Sequence, residues 1–498
     1  MPEPDETATG EHRSGVVRPL PLSRAWVAAA ILVPAIAITA LPLQAIDLAY
    51  AIRAGNDMLG SGSVLRVDTF TLPAHSLDWL NQQWGAQVVL ASVFRVGGWF
   101  GLSLLRTLLV AMTAGLVYLA CRAGGLSARY GAALTLLGSA FFLGGAALRP
   151  QLLGLGCFAL VLWLTASRHR RPRVLLLVIP ITAVWANLHG SFVLGPSWVL
   201  LAALRDRTGG ERTHSLRTAL IGIAAAAAAL ANPFGPRVYA YVVDLSSDPR
   251  IRGFIQEWRS PTLDPTQGAY FAISLLLLAS LAGVTWAIAK TDARPRWPAV
   301  VTAIVIVLPA AVSLRGIYWW GMAAVVLVAE IGFPHVRETS EEPVGRHVTV
   351  VVGALLLAMV ALLARWLPFV GQDPPSPSMV TYAPQAMTRE LQTVLVAGEP
   401  LFNAQLWGSW FEFALPGHLV FADSRVEVLP AAAWDDYLSI SAARPGWQAL
   451  LERWGIRVIA ARNDQQGALI SALGAEPGWD EVFVGDGGAL FVRVAAGG

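Results

Sequence analysis

Up to about residue 370, the chain alternates long apolar runs with short polar corners. A helix needs about 20 apolar residues to cross a bilayer, and eleven runs reach or approach this length. They cover residues 25–46, 101–120, 131–147, 151–166, 174–187, 191–205, 218–232, 269–289, 297–314, 316–333 and 348–369. The pattern predicts a polytopic α-helical membrane protein with about eleven transmembrane helices in a transmembrane domain of residues 25–370.

The basic residues of the polar corners predict the orientation of these helices, because Lys and Arg collect in cytoplasmic loops. With residues 1–24 placed inside as a disordered cytoplasmic tail, the cytoplasmic loops hold most of the basic residues. Those loops read CRAGGLSARY, SRHRRPR, LRDRTGGERTHSLR, KTDARPR and HVRETSEEPVGRH. An odd number of helices then places the N-terminus in the cytoplasm and the region after about residue 370 outside.

The first predicted outer loop is long and covers residues 47–84. It contains too many Trp, Leu and Phe residues for a disordered segment, and loops of this length are usually functional. The next segment, residues 84–101, is apolar but contains Arg95 and two glycine breaks. Since counting it as a span would invert every later loop, we interpret it as an interfacial or half-inserted helix.

Residues 371–498 lack long apolar runs and show short β-like and helical stretches instead. The β-like stretches are HLVFAD, IRVIAA and the pair EVFVG and ALFVRV, which the turn residues GDGG join. The helical stretches are PAAAWDDYLSISA and GWQALLERWG. This pattern predicts an extracytoplasmic α/β domain.

The composition narrows the classes of function. Hydrophobic residues make up 55% and charged residues 14% of the 498 residues, and the mean hydropathy is +0.55, outside the range of soluble globular proteins. The formal net charge of +3 includes one lysine, Lys290, so nothing indicates a nucleic-acid surface. Cys121 and Cys157 have no metal-ligand spacing. Nucleotide-binding motifs are absent, and we find no charged residue inside the spans, which disfavours ATP-driven and ion-coupled transport.

The unexplained polar residues near helix ends fall on the predicted outer side. Asp47 ends the first run, where a partly desolvated carboxylate can act as a general base for a hydroxyl. Alternatively, it caps a helix or pairs with Arg53. Arg149 and Arg315 occupy tight outer corners, the first followed by Gln151, and the planar fork of arginine suits a phosphate group. Snorkelling to the interface is the alternative for both arginines.

Two further segments add polar candidates on the same side. Asn187 and His189, in the corner NLHGS, are expected to face a cavity shared with Asp47, although His189 can instead serve only to hold that corner. Glu257 is expected to turn toward the cavity while Trp258 lies at headgroup level, and a simple interfacial anchor is the alternative. No second His or carboxylate at helical spacing accompanies His189, so no metal site is predicted there.

This order of parts resembles the GT-C superfamily of polyprenyl-phosphate-sugar-dependent glycosyltransferases, and more closely a bacterial family of uncharacterised GT-C-like membrane proteins. The matching stretches, which cover nearly the whole chain from about residue 40, are DLAYAIRAG, VDTF, LRPQL, WANLHGSF, NPFGPRVY, IQEWRSP, FNAQLWGSWFEF, VFADSRVEV and RPGWQALLERWGIRVI. The resemblance implies a plasma (inner) membrane protein in which Asp47 corresponds to the first-loop acid, with Asp68 as a second candidate.

The chain departs from that family at two first-loop positions. Similar sequences often have His and Glu where this chain has Ala51 and Gln83. The absence of these two side chains weakens the case for a divalent metal, although a metal stays possible. It also raises the alternative that catalysis is altered or lost.

Together, the resemblance and the candidate residues favour transfer of a sugar from a polyprenyl-phosphate carrier to an envelope glycan, lipid or protein acceptor on the outer face of the membrane. Asp47, with Asp68 in reserve, would deprotonate the acceptor hydroxyl, and the two corner arginines would hold the phosphate. The outer domain would contact the acceptor through Asp423 and Arg425, with ordinary loop capping as the alternative. A lipid or glycan transporter or flippase, and a non-catalytic envelope-assembly protein, are the other classes left open.

Overall fold

The computed structural model describes residues 22–208, 210, 212–290, 297–331, 346–369 and 375–494. Almost all of the predicted disordered tail lies outside the described residues, as does most of the predicted loops KTDARPR and HVRETSEEPVGRH. Helices dominate the chain up to residue 369, and a mixed α/β part, here called the C-terminal part, occupies residues 375–494.

Each of the eleven predicted apolar runs contains a helix. In chain order, the helices are α1 (Leu22–Thr39), α2 (Ala45–Ser61), α3 (Trp84–Ala123), α4 (Ala128–Phe142), α5 (Pro150–Ala166), α6 (Val178–Ala186), α7 (Leu194–Thr208), α8 (Arg212–Ala228), α9 (Arg237–Ser247), α10 (Pro249–Phe254), α11 (Ala269–Lys290), α12 (Trp297–Val312), α13 (Gly316–Ile331) and α14 (Arg346–Ala364). Of these, α9 and α10 fall outside the predicted runs, and α2 lies outside them except for its first two residues. Helix α3 lies at the centre of the bundle and packs against α1, α2, α4, α5 and α13.

By length and composition, two of the described helices, α3 and α11, are long and apolar enough to cross a membrane. Shorter apolar helices of 10–17 residues cover Ser23–Thr39, Pro150–Ala166, Val174–Ala186, Trp297–Val312, Gly316–Ile331 and Val350–Ala364. The number of spans therefore stays a prediction.

The first predicted run is wrong at its C-terminal end. Helix α1 ends at Thr39, and Asp47 lies in the first turn of α2 instead of at the end of a span. Pro42 has no backbone N–H and disfavours helical conformation in the residue before it, which separates the two helices. The next residues form a short strand, β1 (Leu43–Gln44). The small and apolar side chains on one side of α2 are buried. Residues 47–61 of the predicted loop therefore form a packed helix.

Gly98 interrupts α3, with φ 55° and ψ −150°, a conformation that favours glycine. The interruption separates the segment predicted to be an interfacial helix from the apolar run that follows. It lies at one of the two glycine positions where the sequence indicated a break.

The expectation that the spans contain no charged residue is wrong. Arg106 is buried in α3 and donates a hydrogen bond of 2.8 Å to the carbonyl of Pro42. Glu330, in the last turn of α13, forms an ion pair of 2.9 Å with Arg205 of α7. Both charges have partners within the bundle, as buried charges require.

The C-terminal part is built around a four-stranded sheet. Its elements are β2 (Val380–Thr381), α15 (Gln385–Val394), β3 (Leu401–Asn403), α16 (Gln405–Ala414), α17 (Ala431–Ser441), α18 (Trp447–Arg453), β4 (Val458–Arg462), α19 (Asn463–Gly474), β5 (Trp479–Gly485) and β6 (Gly488–Arg493). The order is β3-β4-β6-β5, with β3 and β4 parallel and the other pairs antiparallel. Asp486 and Gly487 both have positive φ, as a two-residue hairpin turn of this kind requires. The predicted strand at residues 418–423 is reduced to isolated parallel bridges, which join Val420 to Leu401 of β3 and to Thr71.

The C-terminal part and the first loop share one core. Strand β1 pairs in parallel with β2, and Thr71 of the first loop forms a bridge with Val420. Helix α16 packs on α2. These contacts hold the C-terminal part against the helix that contains Asp47.

Candidate functional site

A cavity of about 540 Å³ lies where α2, the N-terminal ends of α5 and α13, the segment around Glu257 and the C-terminal part meet. Eight of the eleven residues predicted to form the site line this cavity. They are Asp47, Arg149, Gln151, His189, Glu257, Trp258, Arg315 and Arg425. Asp68, Asn187 and Asp423 are not among its lining residues.

Four charged side chains alternate in sign along the cavity wall. Arg149 donates from Nη1 to Oδ2 of Asp47 at 2.9 Å and from Nη2 to Oε1 of Glu257 at 2.5 Å. The other oxygen of Glu257 accepts hydrogen bonds from Nη2 and Nε of Arg315, at 2.8 and 3.2 Å. The order Asp47, Arg149, Glu257, Arg315 therefore contains two negative and two positive groups.

The local backbone explains why both arginines reach the cavity. Arg149 has an extended conformation directly before α5, and Pro150 occupies the first position of that helix. Arg315 stands directly before α13. Its backbone N–H donates to the carbonyl of Glu257 at 2.9 Å, so backbone and side chain both fix Glu257 beside it. The N-terminal ends of two helices, which carry partial positive charge, thus open on the cavity.

Glu257 is charged at neutral pH despite its partial burial. Burial raises its pKa, but Arg149 and Arg315 outweigh that effect and hold the pKa at about 2. The same balance acts on Arg149, where burial lowers the pKa and Glu257 and Asp47 raise it above its ordinary value. The ion pairs of Glu257 are therefore formed across the physiological pH range.

One edge of the Arg315 guanidinium is available to a ligand. Glu257 occupies its Nε and Nη2, and the ring of Trp258 lies 5.0 Å from its central carbon. Within the described part of the chain, Nη1 makes no hydrogen bond. Trp258 thus orients the arginine by cation–π contact, a role different from the predicted headgroup anchor.

His189 is a neutral hydrogen-bond donor at the cavity wall. Its Nδ1 accepts a hydrogen bond of 3.1 Å from the backbone N–H of Ser191, so the proton of the neutral ring lies on Nε2. The ring stacks on Trp319, with centroids 6.1 Å apart. Burial, then Arg315 and Arg149, lower the pKa of His189 to about 3. His189 can therefore both stabilise the corner and contact a ligand, because Nδ1 binds the Ser191 amide and Nε2 remains for a ligand.

Gln151 has a buried side chain whose amide nitrogen and oxygen both have no hydrogen-bond partner among the described residues. It is 2% exposed and lines the cavity near the start of α5. Buried amides without partners are rare in native proteins and indicate a bound ligand or water.

Asn187 does not face the cavity, contrary to the expectation from sequence. Its side-chain oxygen accepts a hydrogen bond from Trp84 at 2.7 Å, and its amide nitrogen donates to the carbonyls of Ala183 and Ala231, at 2.8 and 2.9 Å. The backbone carbonyl also accepts from Gly85 at 3.0 Å. The contacts with Trp84, Gly85 and Ala231 therefore tie this corner to other parts of the bundle, while the contact with Ala183 closes the end of α6.

Asp68 and Asp423 are buried beneath the cavity and bind Arg425. Asp68 pairs with Nη1 of Arg425 at 2.8 Å, and Asp423 accepts from Nε at 2.6 Å. Asp68 also accepts from the hydroxyl of Thr71 at 2.6 Å. Because these oxygens are taken up within the protein, neither carboxylate is placed to reach a substrate in the cavity.

A third carboxylate of this cluster was not found from sequence. Glu412 of α16 lies 3.3 Å from Nη2 of Arg425. Burial, then Asp423, raises the pKa of Glu412 well above its ordinary value. The rings of Tyr50, Phe70 and Trp79 surround the guanidinium at 4.5 to 5.2 Å.

Several other cavity residues were not found from sequence, among them Tyr50, Tyr241 and Glu427. One of them followed a recognisable spacing. Tyr50 is three residues after Asp47 and shares a face of α2 with it. Glu427 lies two residues after Arg425 in a turn, where no regular spacing links it to the predicted residues.

Two of the three carboxylates that line the cavity are not free to bind a divalent cation. Asp47 and Glu257 each bind an arginine, which competes for their oxygens. In the described ranges, no three His, Cys, Asp or Glu side chains group as metal ligands.

The sequence matches no protein-family model and no curated protein. Solved structures match in fold. Oligosaccharyltransferase AglB from Archaeoglobus fulgidus, in complex with an inhibitory peptide and a dolichol-phosphate, has a TM-score of 0.53 at 11% identity, covering 89% of this chain and 70% of its own. ArnT from Cupriavidus metallidurans, bound to undecaprenyl phosphate, has a TM-score of 0.52 at 14% identity, covering 95% and 98%.

Arabinofuranosyltransferase AftD from Mycobacteria has a TM-score of 0.53 at 18% identity. The match covers 96% of this chain and 40% of AftD, so this chain spans less than half of that protein. All three are GT-C glycosyltransferases, and at these identities the likeness concerns the fold. The chain therefore has a GT-C-like fold.

Proposed function

We propose that this protein transfers a sugar from a polyprenyl-phosphate carrier to a cell-envelope acceptor on the outer face of the plasma membrane. The observation that carries the proposal is that one cavity wall contains both Asp47 and Arg315. Asp47 is held by Arg149, and one edge of the Arg315 guanidinium is available to a ligand. A base and a phosphate-binding cation are the two groups that such a transfer needs most.

The fold supports this choice of donor. Among the matching structures, ArnT is bound to undecaprenyl phosphate and AglB is in complex with a dolichol-phosphate. The present chain offers hydrogen-bond donors for such a phosphate at Arg315 Nη1, His189 Nε2 and the amide of Gln151. Two helix N-termini add positive potential to the same wall.

The proposed topology has eleven transmembrane helices, a cytoplasmic N-terminus and an outer C-terminal domain that begins near residue 371. The cavity then opens at the outer surface, where a lipid-linked sugar and an envelope acceptor meet. The basic residues of the predicted cytoplasmic loops support this orientation.

In the proposed reaction, Asp47 takes the proton of the acceptor hydroxyl. The acceptor oxygen forms a bond to the anomeric carbon of the sugar, and the bond from that carbon to the phosphate oxygen breaks. The electron pair remains with the phosphate, which leaves as polyprenyl phosphate beside Arg315. Arg149 holds the Asp47 carboxylate in position throughout.

The test uses the purified protein in lipid nanodiscs with radiolabelled undecaprenyl-phosphate sugars and an extract of envelope acceptors. We expect label to pass to an acceptor while undecaprenyl phosphate is released. If the folded protein binds undecaprenyl phosphate but transfers no sugar from any donor, the enzyme proposal fails. A lipid transporter or an assembly protein then becomes the better explanation.

A further inference from the structure

Glu427 differs from the other two carboxylates of the cavity. Asp47 and Glu257 each form ion pairs with arginines. Glu427 forms no ion pair within the described ranges, and its side chain contacts the hydroxyl of Tyr241 at 3.4 Å and its own backbone amide. A carboxylate that is left without a cation in a polar cavity is costly unless a ligand uses it.

The surroundings of Glu427 suit a sugar. Tyr50, Tyr241 and Tyr382 line the same cavity, so three tyrosine side chains contribute to its wall. Carboxylate oxygens accept hydrogen bonds from hydroxyl groups, and aromatic rings cover the apolar faces of sugars. An acyl chain would gain nothing from this set of polar atoms.

We propose that Glu427 binds a hydroxyl group of a glycan acceptor next to the hydroxyl that Asp47 deprotonates. The C-terminal part thereby supplies a specificity-determining residue to the cavity. This inference rests on the proposed function and narrows its acceptor to a glycan, from the earlier set of glycan, lipid or protein.

The charge state of Glu427 is consistent with this role. Burial raises its pKa to about 7; Asp423 and Asp47 add to the increase, while its backbone amide and Arg425 oppose it. The carboxyl group therefore changes from donor to acceptor near neutral pH. The charged and titratable groups that act on it are Asp47 and Tyr50 of α2, Tyr241 of α9, Arg250 of α10, and Asp423 and Arg425 of its own segment.

The experiment compares wild-type protein with Glu427→Gln, and with Glu481→Gln as a matched control on the exposed side of β5. We expect Glu427→Gln to lower kcat/KM for a glycan acceptor by about 10- to 100-fold, mainly through KM, since hydrogen bonds to charged groups contribute this much. Undecaprenyl phosphate binding should be unchanged, and the change of kcat/KM near pH 7 should disappear. Unchanged kcat/KM and an unchanged pH profile would overturn the inference.

A second measurement separates this inference from the proposed function. Binding of soluble mannose, arabinose and glucose oligosaccharides is followed by tryptophan fluorescence, and Tyr241→Phe serves as a milder variant if Glu427→Gln does not fold. Binding that weakens at least tenfold in the variant, without any transfer by the wild type, would support the glycan site and reject the transferase. Equal sugar transfer by the wild type and the variant would support the transferase and reject the glycan site at Glu427. If the wild type neither binds these oligosaccharides nor transfers sugar, both proposals are rejected.

Discussion

Asp68 and Arg425 form a buried ion pair of 2.8 Å although they are 357 residues apart in the chain. One residue belongs to the first loop and the other to the C-terminal part, so the pair joins the two segments that enclose the cavity. Asp423 and Glu412 complete the surroundings of the guanidinium. Asp68 is therefore better explained as a positioning residue than as a reserve base.

Replacement of Arg425 by Met should destabilise the protein by about 3–5 kcal/mol, because it leaves buried carboxylates without their cation. Thermal unfolding in detergent, followed by tryptophan fluorescence, measures the change. Arg457→Met is the control, since Arg457 is 58% exposed and its partner Glu399 is 3.8 Å away. Similar unfolding temperatures for both variants would contradict the structural role of the cluster.

Asp47→Asn should lower the rate of sugar transfer by about 10²- to 10⁴-fold, the usual contribution of a general base. The amide cannot take the proton of the hydroxyl, while its size and its place in α2 are preserved. Initial rates with radiolabelled donor provide the measurement. The exposed Asp78, in the same loop, supplies the control variant Asp78→Asn, which should retain full activity. A fully active Asp47→Asn protein would remove Asp47 as the base.

Arg315→Ala should weaken binding of undecaprenyl phosphate by about 10- to 100-fold, because charged hydrogen bonds to the phosphate are lost. Native mass spectrometry or fluorescence titration in nanodiscs measures the affinity. Arg252→Gln changes an exposed arginine whose side chain donates hydrogen bonds to the Ser246 carbonyl, away from the cavity, so it should bind like the wild type. Equal affinities of Arg315→Ala and wild type would show that the phosphate binds elsewhere.

Gly55→Ala should destabilise the protein by about 1–3 kcal/mol through overpacking. A Cβ at Gly55 would lie 2.1 Å from the backbone oxygen of Gln87, where α2 and α3 are in close contact. Gly60→Ala, in the same helix, meets no atom within 4 Å and should be neutral or slightly stabilising. Chemical denaturation distinguishes the two. Asp47 lies in the same helix, so Gly55→Ala should also displace Asp47 and lower sugar transfer, whereas Gly60→Ala should not.

His189 should make stability depend on pH. Its folded-state pKa of about 3 lies below the ordinary value of 6.5, so the unfolded chain binds a proton that the folded chain does not. Stability from this residue therefore falls as the pH decreases from about 6.5 toward 3. His189→Asn retains an acceptor for the Ser191 amide but does not titrate. Its unfolding temperature should fall less than that of the wild type between about pH 7 and pH 4, and an equal fall would contradict the assignment.

Hydrophobic periodicity located most helices, because a segment that buries apolar side chains over many residues has few other structures available. It did not reveal α2, where small residues such as Ala49 and Ala54 give a weak apolar pattern. Their burial depends on α3 and α16, which approach closely only in the folded protein.

The sequence by itself determined the apolar helices, the strands β4 to β6 and eight of the residues that line the cavity. Arg149 and Arg315 were recognisable because arginine at a tight corner is unusual. Tertiary structure decided what each polar side chain does: it tied Asn187 and Asp68 to protein partners, and it left Gln151 and Glu427 without sufficient ones. The physical reason is that hydrogen-bond satisfaction depends on atoms brought together from distant parts of the chain, which local sequence does not encode.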